Sequence, residues 1–138
     1  MVQGDEDNRI GIIKTKGLKT LTEDMLDYWL RIMTPIFPEN AWIVSHFSNG
    51  NYVIQIDWRL ENNLHQPDKR SRKIQIIILE EAIDDYLDKN KAEQELSDIK
   101  MKRWISERYN HFNPDHGSHA YRFIPTDKWR ISKDVLNT

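Results

Sequence analysis

The segment Ala41–Leu60, AWIVSHFSNGNYVIQIDWRL, decides the fold. At its centre Asn49-Gly50 separates two runs rich in β-branched and aromatic residues. Asn-Gly is the favoured pair for a two-residue type I′ turn, which needs positive φ at both central positions. Such a turn leaves one register. Ser48 then faces Asn51, and the pairs run outward to Trp42 opposite Asp57. Strand side chains alternate, so Phe47, Ser45, Ile43 and Ala41 share one sheet face with Tyr52, Ile54, Ile56 and Trp58. The other face carries Trp42, Val44, His46 and Ser48 against Asp57, Gln55, Val53 and Asn51. One face is core and the other is mixed. A register taken from the turn alone sorts the apolar residues, which is independent support for the hairpin.

Working outward, Glu61–Arg72 is polar, contains Pro67 and reads as a hairpin loop. Lys73–Leu79, KIQIIIL, is isoleucine-rich and predicts a strand beside the second hairpin strand, with Ile74, Ile76 and Ile78 pointing one way. Before the hairpin, Thr22 is a good N-cap, and Glu23 and Asp24 suit the positive end of a helix dipole. Leu21 and Leu26 are spaced as a hydrophobic staple. Met25, Leu26, Trp29, Leu30, Ile32 and Met33 recur at helical spacing, and Pro35 and Pro38 stop the helix. After the hairpin, residues 80–112 read as one broken helix or two, with Asn90 as the interruption. Ala82, Ile83, Tyr86 and Leu87 form a first stripe. Leu96 and Ile99 lie on a different side from Met101, Trp104, Ile105, Tyr109 and Phe112, which implies a kink or two contacted faces. Acids dominate the start of this segment and bases its end, as the helix dipole favours.

The expected fold is α+β: an antiparallel three- to four-stranded sheet packed with helix 22–34 and the helical segment 80–112. The sheet comprises hairpin 41–60 and strand 73–79, with candidate strands at 9–14 and 121–132. Residues 1–8 read as an acidic tail and 9–138 as a single domain.

Composition narrows the function classes. Of 138 residues 38% are hydrophobic, enough for a core, and 30% are charged, with a net charge of only −2. No global field favours nucleic acid or an anionic membrane. The absence of cysteine removes disulfides, thiolate zinc sites and cysteine nucleophiles, and suits a reducing cytoplasm. Asp5, Glu6 and Asp7 with no basic or apolar run do not read as a signal peptide. No stretch reaches the ~18 apolar residues of a membrane span.

The chain has no phosphate-cradling glycine loop, no nucleophile elbow and no paired-histidine zinc helix. Three constellations remain. Trp42, Val44, His46, Val53 and Gln55 on the mixed hairpin face resemble the apolar centre of a protein interface, unless a helix covers them as ordinary core. Arg59, Lys69, Arg70, Arg72 and Lys73 gather at a strand mouth and suit the phosphates of nucleic acid, against the plainer role of a solvated turn that protects a sheet edge. His111, Asp115, His116 and His119 carry the donor types for a zinc or iron hydrolase, against the plainer role of a polar turn set by Pro114 and Gly117. The leading expectation is a non-enzymatic binding or adaptor domain that self-associates or joins a larger assembly, with no cofactor. Nucleic-acid binding is second and a metal-dependent hydrolase third.

The turn generates the first test. Gly50→Val should cost well over ~1 kcal/mol, because a β-branched residue at positive φ is strained. A melting curve unchanged by the substitution would rule out the type I′ turn.

Overall fold

The computed structural model describes residues 22–60, 69–115 and 126–138. They fall in two compact units, one ending at Ile32 and one running from Met33 to Thr138. The expected tail 1–8, the candidate strand 9–14 and the stretch 121–125 lie outside the described residues.

Helix α1 spans residues 22–33 and gives way to a 3-10 turn, Thr34–Ile36, that holds Pro35. Proline has no N–H to continue an α-helical ladder, so the stop falls where the sequence places it. Met25, Leu26 and Trp29 are buried, while Glu23, Asp24, Asp27 and Arg31 are exposed. That separation is the amphipathic face read from helical spacing.

The sheet has four strands in the order β1 (Trp42–Ser48), β2 (Asn51–Asp57), β3 (Ile74–Ile78) and β4 (Asp127–Ile131). Asn49 has φ 53° and Gly50 φ 84°. Both are positive, as a type I′ turn requires. The register follows: Trp42 pairs with Asp57, Val44 with Gln55, Phe47 with Tyr52 and Ser48 with Asn51. β3 is antiparallel to β2, so Ile74 and Ile76 sit beside Ile56 and Ile54 on the core face. β4 lies parallel to β3, with Trp129 beside Ile76 and Ile131 beside Ile78. The sheet is therefore mixed, mostly antiparallel with one parallel pair. A parallel pair needs a long crossover, and the chain between β3 and β4 contains both helices of the 80–112 segment.

Those helices are α2 (Glu80–Leu87) and α3 (Lys91–Asn110), divided at Asn90. The Asn90 side chain accepts from the Glu93 N–H at 2.9 Å, and Glu93 accepts from the Asn90 N–H at 3.1 Å. This reciprocal capping box starts α3 and explains the break. Met101 and Ile105 are fully buried, whereas Leu96 and Ile99 are exposed. The second stripe of α3 is thus uncovered rather than a second contacted face, and the helix runs on without a kink-producing residue.

Aromatic rings join α3 to the sheet. Tyr109 meets Trp58 at 6.1 Å and Phe37 at 5.3 Å between centroids, and Phe112 meets Trp58 and Trp129 at 6.0 Å each. Burial in this cluster pushes the Tyr109 phenol above its ordinary pKa. A short final helix, α4 (Lys133–Asn137), buries Leu136 and is tied to α2 by Asn137, which donates to Asp85 at 3.0 Å. That bond, with Lys89 at 3.1 Å, holds the Asp85 carboxyl below its ordinary range. The start of α2 is bound to the hairpin, since Asn51 accepts from the Glu80 N–H at 2.9 Å.

Beyond the regular ladder, Arg59 pairs with Arg70. From Ile56 to Arg59 β2 advances three residues, while its partner advances four, from Ile74 to Arg70. The extra residue is a β-bulge. Ser71, buried within it, closes the gap: its Oγ accepts from the Trp58 N–H at 3.0 Å, and its own N–H donates to the Trp58 carbonyl at 2.7 Å. Ser71→Ala would leave the buried Trp58 N–H without its acceptor, which costs about 1–3 kcal/mol. Denaturant unfolding should show that loss, and Ser71→Thr should recover part of it. An Ala variant as stable as wild type would mean that the hydroxyl does not carry the bulge.

Candidate functional site

The core face of the sheet is covered, whereas on its opposite face the edge strands β1 and β4 are exposed and β2 and β3 are intermediate to buried. Trp42 is 66% exposed and Val44 43% exposed. His46 is exposed as well, so the outer part of the hairpin's mixed face meets solvent. The core-side row of β1 is also only partly covered, with Phe47 53% exposed at the margin, where its ring lies 5.0 Å from that of Tyr52. Inward across the open face, Gln55 is half-buried and Val53 is 6% exposed between His46 and Ile77. Of the five residues expected at an interface, Trp42, Val44 and His46 present surface, Gln55 presents part of its side chain, and Val53 packs.

Trp42 and Val44 line a shallow concavity of about 420 Å³ together with Gln55, Ile56, Asp57, Arg70 and Lys73. Asp57, cross-strand from Trp42, accepts from Arg70 Nε at 2.7 Å. This bond raises the Arg70 guanidinium above its ordinary pKa. A carboxylate beside a tryptophan needs a partner, and Arg70 supplies it within the chain. The bulge at Ser71 is what aims Arg70 at Asp57. With Arg70 about half exposed, the pair contributes at most a modest stabilisation. The concavity is therefore lined by the apolar side chains of Trp42 and Val44, an ion pair neutralised within the chain, and Lys73, an exposed cation outside that pair.

The basic cluster is less available than its sequence implies. Lys69 is 6% exposed and its Nζ lies 2.8 Å from Asp115 Oδ1. Arg70 is held by Asp57. Arg72 is half-buried, with its N–H donating to the Pro114 carbonyl at 2.8 Å and its Nε buried without a partner among the described residues. Arg59 and Lys73 remain exposed. Nothing in the local charge pattern announces these pairings, because Asp57 and Asp115 are far from the cluster in sequence.

Among the histidine-loop residues, His116 and His119 lie outside the described residues. His111 Nδ1 lies 2.9 Å from the Glu107 carbonyl, where its N–H donates, and Asp115 is bonded to Lys69. No group of three or more metal-ligating side chains occurs among the described residues. A cation–π contact that sequence reading missed places the Arg108 guanidinium 4.3 Å from the Trp104 ring, next to His111. The i, i+4 spacing on one helix face is the signal that finds it. Among the described residues no helix is long and apolar enough to cross a membrane.

Compared with known proteins, the chain matches no family model, no curated protein and no solved structure. The residues and their geometry carry the functional reading alone.

The pairings generate a direct test of the basic cluster. Phosphate contacts make log affinity fall with log salt by nearly one unit per contact. Lys69→Ala and Arg70→Ala should leave any such slope unchanged, whereas Lys73→Ala should reduce it by about one. Mobility shifts with mixed RNA and DNA at several salt concentrations measure this. A loss of slope in Lys69→Ala or Arg70→Ala would mean that these ion pairs open to bind phosphate.

Proposed function

We propose that the chain is a non-enzymatic binding module that takes a protein partner on the open face of its hairpin, through self-association or within a larger assembly. The observation that carries the reading is Trp42, two-thirds exposed on a strand with Val44 beside it and a concavity behind it. Tryptophan offers up to ~250 Å² for burial, and apolar area is worth about 25 cal/mol per Å² when it leaves water. Covering what Trp42 still exposes would release roughly 4 kcal/mol before the costs of association. Asp57, Arg70 and Lys73 supply a polar rim around that anchor, the arrangement of a small interface.

Nucleic-acid binding ranks second, because two of the five cations that favoured it already hold carboxylates. The compartment we assign is a reducing cytoplasm, which the absence of cysteine suits.

Trp42→Ala tests the reading. It should weaken association by about 2 kcal/mol or more while leaving the monomer folded, because the side chain is exposed in the free protein. Sedimentation of both proteins over a range of concentrations, with a melting curve for each, makes the measurement. Equal association constants would remove Trp42 as the anchor.

A further inference from the structure

β1 differs from the other edge of the sheet. β4 carries Asp127, Lys128 and Arg130, the charges that normally keep a sheet edge from pairing with another chain. β1, WIVSHFS, has no acid, no lysine or arginine and no proline, and six of its seven residues are exposed. A two-residue turn closes on a hydrogen-bonded pair, here Ser48 and Asn51, so alternate residues of β1 turn their N–H and C=O groups toward β2. Ile43, Ser45 and Phe47 therefore turn theirs outward. Among the described residues these outward backbone groups have no hydrogen-bond partner.

We propose that β1 pairs antiparallel with β1 of a second copy about a two-fold axis at Ser45, making one sheet continuous through both copies. This rests on the reading of the hairpin as a protein-binding surface and names the partner as the same chain. The register centred on Ser45 is the one that uses all three outward residues at once. Ser45 meets Ser45 of the second copy, and Ile43 meets Phe47, giving roughly six inter-chain backbone hydrogen bonds. In this register Trp42 opposes Ser48, Val44 opposes His46, and Phe47 covers Ile43. No like charges are brought together, because the strand holds no acid, lysine or arginine.

The area is consistent with a reversible dimer. Paired along seven residues, the strands touch over roughly 24 Å. Trp42 and Phe47 are 66% and 53% exposed, so each copy brings roughly 250 Å² of aromatic surface. With the backbone and the remaining side chains of the strand this falls short of the ~800 Å² per partner of a standard stable interface. The expected dissociation constant is accordingly on the order of micromolar.

The test compares Ser45→Pro with Ser45→Ala by sedimentation from about 1 to 100 μM. Both remove the Oγ that accepts from the Tyr52 hydroxyl at 2.7 Å, but only proline removes the outward N–H, and an outward N–H is one the hairpin itself does not use. Wild type and Ser45→Ala should dimerise alike, and Ser45→Pro should weaken the dimer at least about 100-fold. If Ser45→Pro fails to fold, single cysteines in a chain that has none decide the matter. Under mild oxidation Ser45→Cys should cross-link, with Cα atoms about 5.5 Å apart, whereas Ser48→Cys should not, its copies lying roughly 20 Å apart. A wild type that stays monomeric to 100 μM overturns pairing with a second copy and leaves the open face to a different protein. A dimer that Trp42→Ala weakens but folded Ser45→Pro does not, or in which Ser48→Cys cross-links as fast as Ser45→Cys, overturns the edge register while keeping the face as the contact.

Discussion

Asn49 and Gly50, both at positive φ, confine the hairpin to a single register, and most of what is described of the sheet depends on that confinement. A strand shifted by one residue turns every side chain to the opposite face. In the observed register Ile54, Ile56 and Trp58 line the core with Ile74, Ile76 and Ile78, while Trp42 and Val44 face away from it. A Cβ placed at Gly50 would meet only the carboxylate end of the exposed Glu80 side chain, 2.5 Å away, which can swing aside. The positive φ is therefore what selects glycine at this position.

The mixed face is a compromise between packing and polarity that is settled residue by residue. Val53 is nearly buried, Gln55 is intermediate, and Asp57 finds Arg70. Polarity on this face thus rises toward the bulge, where the ladder is interrupted and Ser71 supplies the missing acceptor. Apolar exposure is concentrated instead on β1, at the margin of the sheet. This division separates a neutralised, polar end from a charge-free strand. It also explains why the carboxylate opposite Trp42 makes no demand on a partner molecule.

Legibility in the sequence followed the range of the interactions. The hairpin, the stop at Pro35 and the break at Asn90 were readable because each is fixed within a few residues, by turn chemistry, a missing N–H or a capping box. The fold class followed from the periodicities around them. The parallel alignment of β4 beside β3 was not readable, because neighbouring strand placement depends on how α2 and α3 return the chain. The same limit applied at the candidate site. Trp42 could be placed on a face from the register, but its exposure depends on what packs against that face. The cluster Lys69–Lys73 looked like a phosphate grip because Asp57 and Asp115, its neutralising partners, are distant in sequence. The bulge left a trace only in Ser71, and a lone serine in a polar loop carries no periodic signal.

The bond from Asn51 to the Glu80 N–H joins two events that are usually separate, strand alignment and helix initiation. The first N–H groups of a helix lack intrahelical partners. Here one of them is answered by a side chain whose position is set by the hairpin's alignment. A slipped hairpin would swing Asn51 to the other side of the sheet and leave that exposed donor to water. The start of α2 is thereby coupled to the alignment of the hairpin through one side chain, although the two elements are separated in the chain by β3. The coupling is worth no more than a single exposed hydrogen bond, a small bias toward the correctly aligned strands.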